Sequence, residues 1–397
     1  MKILLVTGIY PPDIGGPATY TRTIARALSA LGHDVRVIAY VSGPSTETED
    51  EECGFRVTRV SRDQSRRDRY AEYEEKAYQI AKDRDIVYLQ GPVSEGYPGT
   101  RAAERAGKPT VMKIVGDYAW EMYMQGGNLR NRELLDAFAA HRHWWLPRIF
   151  AIERTERWSA KRAKKIIVPS KYLKKIVEQW GVPADAIDVI YNSVEPPDAG
   201  LTRDEARKAF GVEGNRVLFT AVRAVPWKNA DFIISLLSDL DRDIVFAIAG
   251  EGPSLDAWKA EAKRLGVEDR VMFLGKLDRE GMGSWYRAAD LFVLPSGYEG
   301  YPNVIPEAWS QGLPCFVSDK GGNTELHLML MDEKGEKPDI SQTDFLRILP
   351  YLDRNQWLQA LSGSWPNRFE RLSNYEVFNK NAMIAKTASI LNASANV

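Results

Sequence analysis

Two successive doubly wound, parallel α/β sheets are the fold class this sequence predicts. Three observations predict it. Short continuous apolar runs alternate with segments of helical periodicity, the loops leaving those runs are rich in Gly and Pro, and the whole series restarts once past the middle of the chain.

The first run, KILLVT at 2–7, is apolar throughout, as befits a strand covered on both faces of a parallel sheet. The loop YPPDIGGP at 10–17 follows, then Tyr20, Ile24, Leu28 and Leu31 at helical spacing, with Gly32 where a C-terminal cap belongs. DVRVIAYV at 34–41 completes a strand, helix, strand unit whose crossover is right-handed. DIVYLQ (85–90), PTVMKIV (109–115) and KKIIVPS (164–170) continue the series. Pro196, Pro197 and Gly200 mark a linker, after which RVLFTAV (216–222), DIVFAIAG (243–250), RVMFLGKL (270–277), DLFVLPS (290–296) and LPCFVSD (313–319) form the second series. This gives an N-terminal domain over 1–195 and a C-terminal domain over 196–374. A closing helix over about 375–397, carrying Val377, Met383, Ile384 and Leu391, is expected to pack back on the first domain. Ligands of such sheets bind at the carboxyl ends of the strands, so a cleft between the two domains is the expected site.

Composition narrows the function. A length of 397 residues suits two domains, and 44% hydrophobic with 27% charged residues describes an ordered globular chain. Residues 1–197 hold 30 Lys+Arg against 26 Asp+Glu, and 198–397 hold 23 against 28, an asymmetry too weak for a nucleic-acid binder. Cys53 and Cys315 fall in different domains, which argues against a disulfide framework and for a reducing, cytoplasmic setting. The N-terminal run is stopped by Pro11 and Pro12 and reads as a strand, not a signal peptide; no stretch reaches the roughly 18 apolar residues of a membrane span.

The strongest local feature is SGYEGYPNVIPEAWSQG, residues 296–312. Asn303 suits a helix N-cap, Pro306 the first turn and Gly312 the stop, which puts Glu299 in the loop ahead of a helix and Glu307 one turn inside it. From these two acids alone, a solvated loop residue with an early-helix acid and a ligand-binding pair are both open readings.

The order of several further segments shifts the balance between them. YPPDIGGPATY with GHDV (10–35), GDYAWE (116–121), RAKKIIVPSKYLKK (162–175), VIYNSVE (189–195), TAVRAVPWKN (220–229), IAGEGP (248–253), EGYPNVIPEA (299–308) and GGNTEL (321–326) together resemble the retaining glycosyltransferases of family 4, which have the GT-B fold; the resemblance spans nearly the whole chain to about residue 325. It implies replacement at an anomeric carbon with retained configuration, using a nucleoside diphosphate sugar as donor and needing no metal or other cofactor. By the same resemblance Arg223 and Lys228 clamp the diphosphate, Glu299 meets donor-sugar hydroxyls and Glu307 accepts from the ribose. Main chain at Gly300, Tyr301, Asn303 and Val304 approaches sugar and phosphate, Gly15 and Gly16 approach from the first domain, and main chain near Lys276 and Leu277 reads the base. The acceptor it implies is a glycan, lipid-linked or small-molecule hydroxyl, as in assembly of a bacterial surface or capsular polysaccharide.

The pattern departs from the family in two places. Val115 stands where many relatives have a sugar-contacting histidine, leaving Asp117 and Trp120 as the residues expected to face the cleft there. After Glu325 the usual Gly-containing strand and loop give way to LHLMLMDEKGEKPD (326–339). Asp83–Asp85 and Asp241–Asp243 precede strands and read as turn residues, and none of the four histidines is expected to act as a base. Residues 141–165 mix Trp144, Trp145, Phe150 and Trp158 with Arg142, Arg148, Arg154, Arg157, Lys161, Arg162, Lys164 and Lys165, which fits either an ordinary helix with cations outside or peripheral docking on the inner face of a membrane. A GT-B nucleotide-sugar epimerase and a sugar-nucleotide-binding protein without turnover are the competing functions. A nicotinamide dehydrogenase is disfavoured because YPPDIGGP is not a GxGxxG loop.

Overall fold

A computed structural model describes residues 1–13, 16–50, 52–126, 133–197, 200–328, 345–369 and 379–395. The chain divides into two compact units, one of residues 1–123, 135–191 and 381–397, the other of residues 124–134 and 192–380.

The first unit is built on an eight-stranded sheet: β1 (Lys2–Val6), β2 (Asp34–Val41), β3 (Thr46–Glu49), β4 (Arg56–Ser61), β5 (Ile86–Leu89), β6 (Thr110–Lys113), β7 (Lys165–Val168) and β8 (Ile187–Val189). Their spatial order is β3-β4-β2-β1-β5-β6-β7-β8, all parallel except the β3–β4 pair. Ile3, Leu4, Leu5 and Val6 are all fully buried, as the uninterrupted apolar run requires of a strand covered on both faces. The helix Lys380–Ala395 belongs to this unit, burying Met383, Ile384 and Leu391 in the same core as Ile3, Leu5, Val37 and Tyr88. Val377 lies outside the described residues.

The second unit carries a six-stranded, all-parallel sheet of β9 (Arg216–Ala221), β10 (Ile244–Ala249), β11 (Val271–Gly275), β12 (Leu291–Leu294), β13 (Cys315–Ser318) and β14 (Leu346–Leu349), ordered β11-β10-β9-β12-β13-β14. From β9 the chain winds outward one way through β10 to β11. It then crosses back to lay β12 on the other side of β9. The switch point is therefore between β9 and β12, and in such sheets ligands bind at the carboxyl ends of the strands at that point.

Strands β3, β4, β8 and β14 lie outside the expected series. β3 is TETE, exposed at every residue on a sheet edge, and β14 keeps Arg347 and Ile348 exposed, so neither has the buried apolar run that marks the other strands. β14 follows the segment expected to lack a strand, and pairs with β13 in parallel register from Cys315↔Leu346 to Ser318↔Leu349. Of the segment 326–339 itself, 329–339 lie outside the described residues.

Candidate active site

The loops at the β9/β12 switch point are assembled mainly by backbone contact. Residues 226–228 form a single 3-10 turn, closed by Asn229 in the left-handed region at φ 50°, a conformation asparagine tolerates better than most residues. The Asn229 amide nitrogen donates to the carbonyls of Trp227 and Pro295, each at 3.1 Å, and the Gly297 N–H donates to the Trp227 carbonyl at 2.7 Å. The β9 and β12 loops are thereby stitched together immediately beside Lys228.

Across that seam Lys228 Nζ meets Glu299 Oε1 at 2.6 Å. The glutamate is buried and the lysine half-buried. Glu299 is in turn fixed by its main chain: the Gly322 N–H donates to its carbonyl at 2.6 Å, and a Cβ on Gly321 (φ 59°) would come within 2.7 Å of the Glu299 N and O. Only glycine lets GGNTEL approach so closely. Asn323, fully buried, donates to Ser318 Oγ at 3.1 Å, and that hydroxyl donates to the Ser296 carbonyl.

Arg223 is held by the same device. Gly250 (φ 121°) and Gly252 (φ 153°) lie against the backbone of Val222 and Ala224, where a Cβ would fall 1.9 Å from the Val222 carbonyl oxygen and 2.4 Å from that of Ala224. The Ala224 N–H donates to the Glu251 carbonyl at 2.9 Å, and the Ala224 carbonyl accepts from the Ser254 N–H at 2.9 Å. IAGEGP thus acts as a backplate for the loop that presents Arg223. The guanidinium itself is exposed and has no hydrogen-bond or ionic partner among the described residues. Gly252→Ala is expected to cost about 2 kcal/mol or more in stability, from strain at a positive φ plus the clash with Ala224, and to lower turnover by moving Arg223; thermal melting and kcat check it together.

Glu307 sits in the helix Val304–Ser310, half-buried, and accepts from the Tyr286 hydroxyl at 2.9 Å on Oε2. Burial raises its carboxyl to about 6, opposed by the Tyr286 hydrogen bond and the nearby Arg279. Tyr286, on the helix Arg279–Ala288, orients the acid, while Oε1 has no hydrogen-bond donor among the described residues. Gly300, Tyr301 and Asn303 lie in the turn between β12 and the Glu307 helix, which Val304 opens, and the Tyr301 hydroxyl is tied to the Asn192 carbonyl at 2.8 Å.

Asn303 corrects the expectation of a side-chain cap. Its backbone is already helical (φ −50°, ψ −33°), so the side chain cannot fold back onto the first-turn amides, and no cap bond forms. Its Oδ1 is instead buried without a partner, as are Ser296 Oγ and Asn323 Oδ1. Orphaned buried polar atoms beside a switch point are what a polar ligand would satisfy. Lys276 and Leu277 follow directly on β11, Lys276 exposed and Leu277 half-buried, with the Gly275 carbonyl accepting from Gly250 N–H at 2.7 Å.

Two expectations fall in the first unit. Gly16 opens the helix Gly16–Ala30, exposed, with nothing within 4 Å of where a Cβ would lie; Gly15 is outside the described residues. Asp117 and Trp120 do not face an opening. Asp117 is buried and accepts from the Trp120 N–H at 2.7 Å, Trp120 is fully buried, and Glu156 takes the Tyr118 and Ala119 N–H groups at 2.7 and 3.3 Å. The free amides at the start of the helix Tyr118–Gln125 demand acceptors, and these two acids supply them. Burial pushes the Asp117 carboxyl up to about 6.

The two Asp-X-Asp strings are engaged in ion pairs: Asp83 with Lys2 at 2.7 Å, Asp241 and Asp243 with Arg216 at 3.1 and 3.3 Å. In 141–165, Pro147 begins the helix Pro147–Ala160, whose inner face buries Ile149, Ile152 and Glu156. Trp158 is half-buried, with Arg162 4.1 Å over its ring. Trp144 and Trp145, at 72% and 55% exposure, stand outside that core beside exposed Arg142 and Arg148, on a turn anchored by the buried His143–Glu153 pair at 2.8 Å. No helix among the described residues is long and apolar enough to cross a membrane.

Comparison with known proteins bears on both units. The profile of glycosyltransferase family 4 matches residues 14–197, and that of glycosyl transferases group 1 matches 202–329. An uncharacterised glycosyltransferase of Methanocaldococcus jannaschii is 28% identical over 341 residues, 82% of each chain. The Escherichia coli UDP-Gal:alpha-D-GlcNAc-diphosphoundecaprenol alpha-1,3-galactosyltransferase is 30% identical over 251 residues, 60% of this chain and 59% of that one. Among solved structures, Anabaena HepE in complex with UDP and glucose superposes with a TM-score of 0.71 over 98% of this chain and 99% of that chain, at 19% identity.

Proposed function

The chain belongs to the glycosyltransferases of family 4 and group 1, with the GT-B fold, and from that premise we propose that it moves a hexose from a nucleoside diphosphate sugar, with retention of configuration, to a glycan, lipid-linked or small-molecule hydroxyl. The second unit takes the donor and the first unit the acceptor. One observation carries the reading: the Lys228–Glu299 pair bridges the two loops that part at the β9/β12 switch point, with the unpartnered Arg223 on the same β9 loop.

Each residue then has a role its surroundings favour. Arg223 and Lys228 neutralise the diphosphate as it departs, charge that grows in the transition state and is best met by groups already in place. Glu299 keeps Oε2 for a sugar hydroxyl while Oε1 holds Lys228. Glu307, with one oxygen on Tyr286, accepts from the ribose. Gly300, Tyr301, Asn303 and Val304 lend main chain to sugar and phosphate, Lys276 and Leu277 to the base, and Gly15 and Gly16 also to the donor. In this reading two protein cations take the place of a metal, and no other cofactor takes part. The UDP named with HepE and the UDP-galactose of the E. coli enzyme make UDP-hexoses the first donors to try. The exposed Trp144 and Trp145 with Arg142 and Arg148 suit an anionic membrane surface that presents a lipid-linked acceptor.

Incubation with UDP-, GDP-, ADP- and dTDP-hexoses, with and without EDTA, tests the reading. Release of nucleoside diphosphate with an α-anomeric product from an α-linked donor, unaffected by EDTA, is the expected result. A converted donor sugar with no diphosphate released identifies an epimerase, and binding without either change identifies a non-catalytic protein.

Glu307→Ala is expected to weaken nucleoside diphosphate binding by about tenfold or more, the scale of a hydrogen bond to a charged group. Because Glu307 is raised to about 6 and binds ribose as the carboxylate, wild-type affinity is expected to decline as pH falls through about 6, and the variant to lose that decline; calorimetry at a series of pH values checks both.

A further inference from the structure

An acid that takes a ribose hydroxyl as hydrogen-bond acceptor has to be ionised and aimed, and the surroundings of Glu307 work against the first of these. It sits on the helix Val304–Ser310 among the buried Ile305, Ala308 and Trp309. Removing water from a carboxylate favours its neutral form, and burial raises Glu307 to about 6. Once protonated, the carboxyl loses half its value as an acceptor.

Tyr286 opposes that drift. Its hydroxyl has one hydrogen and two acceptors in reach, Glu307 Oε2 at 2.9 Å and the Val304 carbonyl at 3.3 Å, and the nearer, charged acceptor takes it. Burial, with the neighbouring carboxylate, holds the phenol well above its ordinary range, so it keeps its hydrogen and donates. The ring cannot swing away. It is fully buried, edge-on to Phe219 of β9 at 5.3 Å and tilted against Phe292 of β12 at 5.7 Å, while Arg368 holds the Tyr286 carbonyl at 3.0 Å. β9 and β12 are the strands whose loops carry Arg223, Lys228 and Glu299. One side chain thus keeps Glu307 in register with the cations expected to meet the diphosphate.

We propose that Tyr286 is a positioning residue of the donor site: its hydroxyl holds Glu307 as the carboxylate with Oε1 left for the ribose, and so sets the pH range over which nucleotide binds. This rests on the nucleotide-sugar reading. The other charged or titratable groups beside the pair do not stand in for it. Arg279 favours the carboxylate from nearby but donates its hydrogen bond to the Pro196 carbonyl at 2.9 Å. Arg287 donates to the Leu201 carbonyl at 2.8 Å and to Gln311 Oε1 at 3.2 Å, and Arg368 to the Tyr286 and Ala289 carbonyls. The Cys315 thiol of β13 is buried and pushed well up, so it adds no charge.

The test is calorimetric titration of the full chain with UDP, GDP, ADP and dTDP at a series of pH values from about 5 to 9, comparing wild type with Tyr286→Phe. The Phe ring keeps its place against Phe219 and Phe292, so the fold is expected to hold; should it not, Tyr286→Met, which lacks the donor and adapts its shape to the site, carries the comparison. Loss of a hydrogen bond to a charged group is expected to move the pH at which affinity declines upward by about one unit or more. For the diphosphate that wild type binds, the variant is then about fivefold or more weaker near pH 6 and within about threefold near pH 8.5. Affinity equal to wild type at every pH, or weaker by one constant factor as loosened packing alone would give, overturns this inference and leaves the donor site standing. Failure of wild type to bind any of the four overturns this inference together with the nucleotide-sugar reading beneath it.

Discussion

Arg223→Ala is expected to lower the turnover of sugar transfer by about 100- to 1,000-fold, the scale of losing one preorganised group that meets transition-state charge, while leaving the melting temperature where it is. The two halves of that expectation have separate causes. The guanidinium is exposed and makes no hydrogen bond or ion pair among the described residues, so its removal leaves no polar group unsatisfied and no cavity. Its position, by contrast, is tightly specified, since Gly250 and Gly252 fit against the backbone on both sides of it with no room for a side chain. A rigid loop carrying an idle cation has little value for stability. A drop in kcat with an unchanged melt is the signature of a residue kept for the reaction, and donor KM is expected to move less than kcat.

Lys228→Ala is expected to act on both. Turnover falls by a similar factor for the same reason, but the buried Glu299 carboxylate then loses the cation 2.6 Å away. Breaking a buried pair by removing one partner costs about 3 kcal/mol or more, on the order of 6 to 12 °C in the melting of a unit this size. Lys228→Met combined with Glu299→Gln removes both charges, and is expected to recover most of the stability and none of the turnover. Differential scanning calorimetry with initial rates on the two single variants and the double separates these effects. Equal stability losses in Arg223→Ala and Lys228→Ala would contradict the geometry that distinguishes them.

The second unit was the more legible of the two, because β9, β10, β12 and β13 are runs of buried apolar residues and the residues with chemistry fall on the loops directly after them. Once the strands are placed, Arg223, Lys228 and Glu299 arrive at the switch point by topology alone. What holds them there was not legible. The Glu307–Tyr286 contact joins residues 21 apart on two different helices, and the roles of Gly321 and Gly322 emerge only when Glu299 lies against them. Asp117 shows the converse: an acid at the start of a helix serves equally well as a cap or as a ligand contact, and the unmet amides of the Tyr118–Gln125 helix decided for the cap. Glu95 carried no signal, since SEG between two turns has no periodicity, and one of the two glycines its carboxyl packs against, Gly8, is distant in sequence. Polar edge strand β3 left no trace of the kind that buried strands leave.

The proposed nucleoside diphosphate site lies on the second unit and is built from Arg223, Lys228, Glu299 and Glu307. Calorimetric titration of the wild-type protein with UDP, GDP, ADP and dTDP, each with and without EDTA, tests it most directly. Selective binding of one diphosphate, unchanged by EDTA, is the expected result; no binding of any of the four would contradict the proposed site.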